Sequence, residues 1–153
     1  MPNILVVSNT PSVNTAKLQQ AVVDGTKKVD VDNLVVRARV PWDADQKDVA
    51  WCDGIILGTT ENFGYMSGAV KDFLERIYYP CLEVTEGMPV GVFVKGGLDG
   101  LGAKASVERI LVGLKWKHIQ PPLVMTGSFR PEFVEQCEEL GMTMAAGLDA
   151  GIY

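Results

Sequence analysis

Short apolar runs alternate along this chain with segments in which apolar positions recur every three or four residues. Within each run the consecutive positions are apolar, which is typical of parallel strands buried on both faces. The stretches between the runs are long enough for crossover helices. On this basis five strands are predicted, at Ile4–Val7, Leu34–Val36, Ile55–Leu57, Val90–Val94 and Leu123–Met125.

The helical periodicity has recognisable start and stop signals. The first predicted helix runs from about Asn14 to Asp24, and Gly25 is placed to end it. Ser67 can cap a helix that should end before Pro80, because proline does not continue a helix. Further helices are predicted near Ala44–Ala50, over Val107–Leu114 and from Pro131, with Phe133, Val134, Cys137, Leu140 and Met144 facing inward.

Together these elements predict an α/β fold: a single three-layer, doubly wound domain over residues 1–153 with a five-stranded parallel sheet. Two strand orders fit, the flavodoxin-like order 2-1-3-4-5 and one half of a dinucleotide-binding fold. In either order ligands bind at the carboxyl ends of the strands, beside the point where the order reverses. For the order 2-1-3-4-5, the loops after Val7 and Leu57 should face each other.

The loop between the first strand and the first helix is rich in hydroxyl groups. Free N–H groups and the positive end of the helix dipole favour a phosphate group at such a position. No Lys or Arg lies between Met1 and Ala16, so neutral dipoles are expected to hold the anion. An ordinary helix cap after a proline turn is the alternative. The candidate side chains are Ser8, Thr10, Ser12, Asn14 and Thr15.

The loop predicted after the third strand, Gly58–Gly68, combines glycines with two aromatic residues. Glycine lets the backbone approach a flat ligand closely, and Phe63 or Tyr65 can cover the face of a ring. A long surface loop with normal helix capping is the alternative. The length of the loop and its aromatic residues favour a binding loop.

Composition excludes several classes of function. The formal net charge is −5 and no basic patch is visible, which argues against a general nucleic-acid binder. Neither a basic signal peptide nor an apolar run near the roughly 20 residues of a membrane span is found. Three widely spaced cysteines predict reduced thiols in the cytoplasm, and a single His without a Cys-x-x-Cys pair predicts no metal site. The Gly97–Lys104 stretch lacks the Gly-Lys-Ser/Thr sequence of an ATP-binding loop, which argues against ATP binding. A Ser-His-Asp hydrolase is also disfavoured, because His118 is the single histidine and no Gly-x-Ser-x-Gly motif is present.

Two stretches carry a resemblance to a known family. Ser8–Leu18 is similar to its serine-rich first loop, and Gly58–Leu74 to its second motif. The chain therefore resembles the flavodoxin-like NADPH-dependent FMN reductases, a family that includes NAD(P)H:quinone oxidoreductases. The matching positions of the second motif are Gly58, Thr59, Gly64, Met66, Ser67, Gly68, Lys71, Phe73, Leu74 and Arg76.

The resemblance implies an FMN site formed by three loops. The first would bind the flavin phosphate through Ser8, Thr10, Ser12, Val13, Asn14 and Thr15. The second would contact the isoalloxazine ring through Thr60, Glu61, Asn62, Phe63, Gly64 and Tyr65. The third would hydrogen-bond the edge of the ring through the backbone N–H groups of Lys95, Gly96 and Gly97. Charges at Glu61, Lys95 and Asp99 would tune the flavin potential.

The implied activity is that of an NAD(P)H-dependent oxidoreductase. A reduced nicotinamide would deliver hydride to flavin N5, and the electrons would pass to a quinone or another small acceptor. The flavin carries this chemistry, so no catalytic side chain is expected. An electron-transfer flavodoxin is one alternative. A flavodoxin-like protein without flavin is another, because Thr60 and Asn62 replace a proline and an aromatic residue common in the family.

Two aromatic features bear on assembly. Tyr78 and Tyr79 are adjacent at the end of the third helix, which favours an interface, and hence a homo-oligomer, over a covered rim of the site. Trp42, which follows the second strand, is expected to pack in the core or to reach the rim of the site from a neighbouring subunit.

Overall fold

The computed structural model describes residues 2–153 and brings the predicted apolar runs together in one sheet. The strands are β1 (Asn3–Ser8), β2 (Val35–Arg39), β3 (Gly54–Asn62), β4 (Tyr65–Met66), β5 (Pro89–Gly96), β6 (Lys117–His118) and β7 (Leu123–Thr126). The helices are α1 (Val13–Thr26), α2 (Gln46–Trp51), α3 (Gly68–Cys81), α4 (Leu101–Leu114) and α5 (Pro131–Asp149).

The order of the parallel strands confirms the predicted flavodoxin-like arrangement. Strand β1 lies between β2 and β3, and β5 follows β3, with β6 and β7 both paired to the far edge of β5. These pairings are all parallel. Because β1 lies between β2 and β3, the alternative order of a dinucleotide-binding half is wrong.

The fifth position in the sheet is divided between two short strands, where one was predicted. Strand β6 pairs with Pro89 and Val90 of β5, and β7 pairs with the stretch from Phe93 to Gly96. Two consecutive prolines, Pro121 and Pro122, lie between β6 and β7. Proline has no N–H group to donate, so the ladder is interrupted there and resumes at Leu123.

Alternating strand residues build a core on each face of the sheet, which confirms the three layers. On one face Leu5, Ile55 and Val92 belong to a buried cluster with residues of α2, α3 and α4. On the other face Ile4 and Ile56 belong to a cluster with residues of α1 and α5. Four of the residues predicted to face inward on α5 are buried, namely Phe133, Cys137, Leu140 and Met144.

The structure corrects the predicted role of Gly25. Helix α1 continues through Gly25 to Thr26, so this glycine does not end the helix. A Cβ atom on Gly25 would lie 2.0 Å from the carbonyl oxygen of Glu138 in α5. On the opposite helix, a Cβ atom on Gly141 would lie 2.1 Å from the carbonyl oxygen of Val22. Both glycines are therefore needed for the close approach of α1 and α5.

The predicted end of α3 is also wrong by two residues, because the helix includes Pro80 and ends at Cys81. Proline in a helix interior removes a hydrogen bond and strains the preceding turn. Here only Cys81 follows it in the helix, so the missing N–H group interrupts the hydrogen bonding of the last turn and not of the helix interior. The N–H of Leu82 closes the helix by donating to the carbonyl oxygen of Tyr78 at 2.9 Å.

Candidate functional site

The loops after β1 and β3 meet at the carboxyl edge of the sheet, as the strand order requires. Ser8 pairs with Gly58 at the ends of these strands. Just beyond them, the Asn9 side chain donates to Thr60 Oγ1 at 2.9 Å and accepts from the Thr60 N–H at 3.1 Å. This pair of hydrogen bonds fixes the first loop against the second.

The first loop ends in a fully formed helix cap. Ser12 Oγ accepts from the N–H of Thr15 at 3.2 Å, and Thr15 Oγ1 accepts from the N–H of Ser12 at 3.0 Å, which is a capping box. The N–H groups of Val13 and Asn14 precede the first intrahelical bond, so no carbonyl of the helix pairs with them. They are the donors that α1 offers to an anion.

Ser8 occupies a different environment from the other candidate residues of this loop. It is 1% exposed, and its hydroxyl accepts from Gln19 Nε2 at 2.8 Å. The same amide donates to the carbonyl oxygen of Arg39 at 3.2 Å. Ser8 therefore joins α1 to the ends of β1 and β2, whereas Thr10 and the start of α1 form the accessible part of the loop.

A cation from a distant part of the chain lies beside this loop, although the first 16 residues contain no Lys or Arg. Lys95, at the end of β5, lines a cavity of about 160 Å³ together with Ser12, Asn14 and Thr15. Its Nζ donates to the carbonyl oxygen of Gly127 at 2.6 Å. The prediction that neutral dipoles alone would hold an anion is therefore incomplete, because the fold places Lys95, 80 residues after Thr15, beside the loop.

The predicted loop from Gly58 is instead an extended strand followed by a hairpin. Strand β3 continues to Asn62, which pairs with Tyr65 of β4 across a two-residue turn. Phe63 and Gly64 in that turn have φ values of 55° and 70°, as in a type I′ turn. Phe63 is fully exposed at the tip, and Tyr65 is 43% exposed, so aromatic surface is presented beside the site.

Glu61 joins this hairpin to the beginning of α4. Its carboxylate accepts from the N–H of Gly100 at 3.2 Å and from the N–H of Ala103 at 3.4 Å. Helix α4 has no side-chain cap at Gly100, so Glu61 of strand β3 supplies the cap. A negative charge at a helix N-terminus is favourable. Glu61 therefore holds the second and third loops together.

Two further contacts fasten the hairpin to α4. The N–H of Met66 donates to Ser106 Oγ at 3.1 Å. A Cβ atom on Gly102 would lie 1.9 Å from the carbonyl oxygen of Gly64, so only glycine permits this approach. The third loop, from Lys95 to Gly100, thus begins at β5 and ends at a helix that is fixed to the hairpin. Within it Gly97 is exposed, with open space where a side chain would lie.

Two residues at this edge, Asn9 and Trp42, differ from the sequence-based expectation. Asn9 is the residue that bridges the first two loops, and its position directly after a buried strand was the available signal. Trp42 is 64% exposed and does not pack in the core. It lines a cavity of about 310 Å³ with Asn9, Thr10 and Pro11 of its own chain, so no neighbouring subunit is needed to bring it to the site.

A family model described as NADPH-dependent FMN reductase matches residues 3–130. The chain belongs to this family. The match includes all three loops of the site, and it confirms the resemblance seen in the Ser8–Leu18 and Gly58–Leu74 stretches. A curated flavodoxin from Aquifex aeolicus (strain VF5) is 27% identical over 114 residues, which cover 74% of this chain and 60% of that protein. The chain therefore spans less than two thirds of the length of this relative.

Solved structures establish a flavodoxin-like fold. A flavodoxin from the domain Archaea superposes with a TM-score of 0.82 at 17% identity, covering 95% of this chain and 98% of that one. A flavodiiron core from Synechocystis sp. PCC6803 superposes with a TM-score of 0.82 at 18% identity, covering 98% of this chain and 36% of that one. Within residues 2–153, no helix combines the length and apolar character needed to cross a membrane.

Proposed function

We propose that the protein binds FMN at the carboxyl edge of its sheet. The single observation that carries the proposal is the junction of the three loops within a chain of this family. Asn9 joins the first loop to the second, and Glu61 joins the second to the start of α4. One edge of the sheet is therefore surrounded by residues from the N-terminus of α1, the β3–β4 hairpin and the Lys95–Gly97 segment.

The residues present fit the chemical groups of FMN. The N–H groups of Val13 and Asn14, the Thr10 hydroxyl and the Lys95 ammonium suit a phosphate dianion. Gly97 leaves open space, so the backbone there can approach a flat ring. Thr60 donates to Asn62 Oδ1 at 3.3 Å, which gives the two residues that depart from the family pattern a common structural role. The presence of Thr60 and Asn62 is therefore compatible with an ordered second loop.

When bound, the flavin would supply hydride acceptance and one-electron or two-electron transfer. The chain's own residues would bind and orient it. The capped start of α1 would hold the phosphate, and the Glu61 bridge would keep the hairpin and the third loop at a fixed separation. No side chain at this edge is required as a general acid or base for that role.

We further propose that the protein is an NAD(P)H-dependent oxidoreductase with a quinone or similar small acceptor. Family membership supports this activity, and the exposed side chains of Phe63 and Leu98 present apolar surface on the second and third loops, where a small acceptor can make contact. The test begins with FMN incubation, desalting and a visible spectrum. NADH or NADPH oxidation is then followed with and without a soluble quinone. Retained flavin with acceptor-dependent turnover supports the proposal, and a colourless protein contradicts it.

An electron-transfer flavodoxin is the second candidate, favoured by the similarity to the flavodoxin from Aquifex aeolicus. Such a carrier would retain FMN and accept electrons from a protein donor. It would show little oxidation of NADH or NADPH with free quinone. The same pair of measurements therefore separates the two candidates. A colourless protein would contradict both candidates and would favour the remaining alternative, a flavodoxin-like protein without flavin.

A further inference from the structure

Trp42 lies on a turn that is held rigidly while its ring remains largely open to solvent. The turn Pro41–Asp43 follows β2. The Arg76 guanidinium of α3 donates to the carbonyl oxygens of Pro41 and Ala44, both at 2.8 Å, and its Nε donates to Asp72 at 2.7 Å. Pro41 and Ala44 are buried, whereas Trp42 is 64% exposed. The backbone is thus anchored on both sides of an aromatic ring that covers no core.

The ring borders a cavity of about 310 Å³ between the turn and the first loop. This volume is close to the lower limit of about 300 Å³ for ligand pockets, so one ring system fits better than a whole dinucleotide. The lining is uncharged. Hydrogen-bonding groups come from the Asn9 amide and the Thr10 hydroxyl, and the remaining residues are Pro11, Val40, Pro41, Trp42 and Ala69.

This cavity continues from the site already described, because Asn9, Thr10 and Pro11 belong to the first loop. It lies toward β2, whereas the hairpin and the Lys95–Gly97 segment lie on the opposite side of β1, toward β3 and β5. A ligand whose phosphate rests on α1 and whose flavin ring lies toward β3 would leave the cavity empty. A second aromatic ring, attached beyond that phosphate, would reach the cavity.

We propose that the cavity beside Trp42 binds the adenine ring of an adenine nucleotide. An uncharged, flat, nitrogen-containing ring stacks well on an exposed indole, and a ring nitrogen can accept from the Asn9 Nδ2 hydrogen that Thr60 Oγ1 does not take. This inference builds on the proposed flavin site, whose first loop it shares. The adenine could belong to a flavin dinucleotide bound in place of FMN or to the nicotinamide co-substrate, and separate measurements distinguish these sources.

The direct test is calorimetric titration of adenosine into the purified protein. Adenosine has no phosphate, so it does not compete for the anion site, and the titration is informative whether or not FMN is retained. Because stacking of a base on an aromatic side chain contributes roughly 1–3 kcal/mol, Trp42→Ala should weaken binding at least about five-fold. Trp42→Phe should restore most of the affinity. Tyr79→Ala removes an aromatic ring that is 80% exposed on α3 and should leave adenosine binding unchanged.

Two further assays identify the source of the adenine. If it comes from a flavin dinucleotide, Trp42→Ala should weaken FAD binding to flavin-free protein and leave FMN binding unchanged. If it comes from the co-substrate, the variant should raise KM for NADPH in the FMN-loaded protein with little change in kcat. Absence of saturable adenosine binding, equal binding by Trp42→Ala, or no effect in either source assay would overturn the proposal. Failure to bind FMN would instead contradict the proposed function.

Discussion

Removing the Glu61 carboxylate should loosen both α4 and the proposed flavin site. Glu61→Ala deletes the acceptor of the Gly100 and Ala103 N–H groups. Loss of a helix cap costs about 1 kcal/mol, and loss of a favourable charge at a helix N-terminus costs about 0.3–1 kcal/mol more. The free energy of unfolding should therefore fall by about 1–2 kcal/mol. Glu61→Gln keeps one oxygen acceptor and should lose roughly half of that amount.

Urea unfolding followed by far-ultraviolet circular dichroism measures this change. Glu108→Gln is the matched control, because Glu108 lies on α4 and its partner is Lys104 in a half-buried i,i+4 pair. That change should cost no more than about 0.5 kcal/mol. FMN affinity, measured by quenching of flavin fluorescence, should decrease in the order wild type, Glu61→Gln, Glu61→Ala. Equal stability of Glu61→Ala and Glu108→Gln would refute the capping role.

Three other perturbations test the packing of α4, the contact between the first two loops and the burial of the cysteines. Gly102→Ala should lower the unfolding free energy by more than about 1 kcal/mol, because its Cβ would lie 1.9 Å from the Gly64 carbonyl oxygen. Gly68→Ala, which meets nothing within 4 Å, is its control in urea unfolding and should be neutral or slightly stabilising. Asn9→Ala should weaken FMN binding more than Asn62→Ala in the fluorescence titration, since only Asn9 joins the first two loops through two hydrogen bonds. Burial raises the pKa values of Cys52 and Cys137 to about 12, so a thiol reagent at pH 8 should label them rapidly only after unfolding.

The same cysteines predict how stability depends on alkaline pH. Their thiols ionise more readily in the unfolded chain than in the folded protein, so their stabilising contribution is complete below about pH 9 and decreases above it. Each thiol should contribute a slope of about −1.4 kcal/mol per pH unit to the unfolding free energy. Cys137→Ala should reduce that slope between pH 9 and pH 11. An unchanged slope would show that Cys137 has no part in the alkaline loss.

The sequence by itself determined the five principal strands, the three layers and the first loop. Buried parallel strands such as Ile4–Val7 are apolar on both faces, and that pattern is local, so it can be recognised without the fold. A helix cap near the start of α1 was also recognisable, at Ser12 or Asn14, since capping residues lie close together in the sequence, and the structure places it at Ser12. The family motif from Gly58 to Arg76 also lies within one continuous stretch.

Only the tertiary structure decided which distant residues meet. Lys95 reaches the first loop, Glu61 caps α4 and Gly25 packs on α5 because strand order and helix packing bring these segments together. The loop expected after Leu57 became a strand and hairpin once β5 and α4 provided partners for its backbone and side chains. Trp42 could not be assigned from sequence, because an indole in the core and one beside a cavity give the same local pattern. Contacts across long separations carry no periodic signal along the chain, whereas secondary structure does.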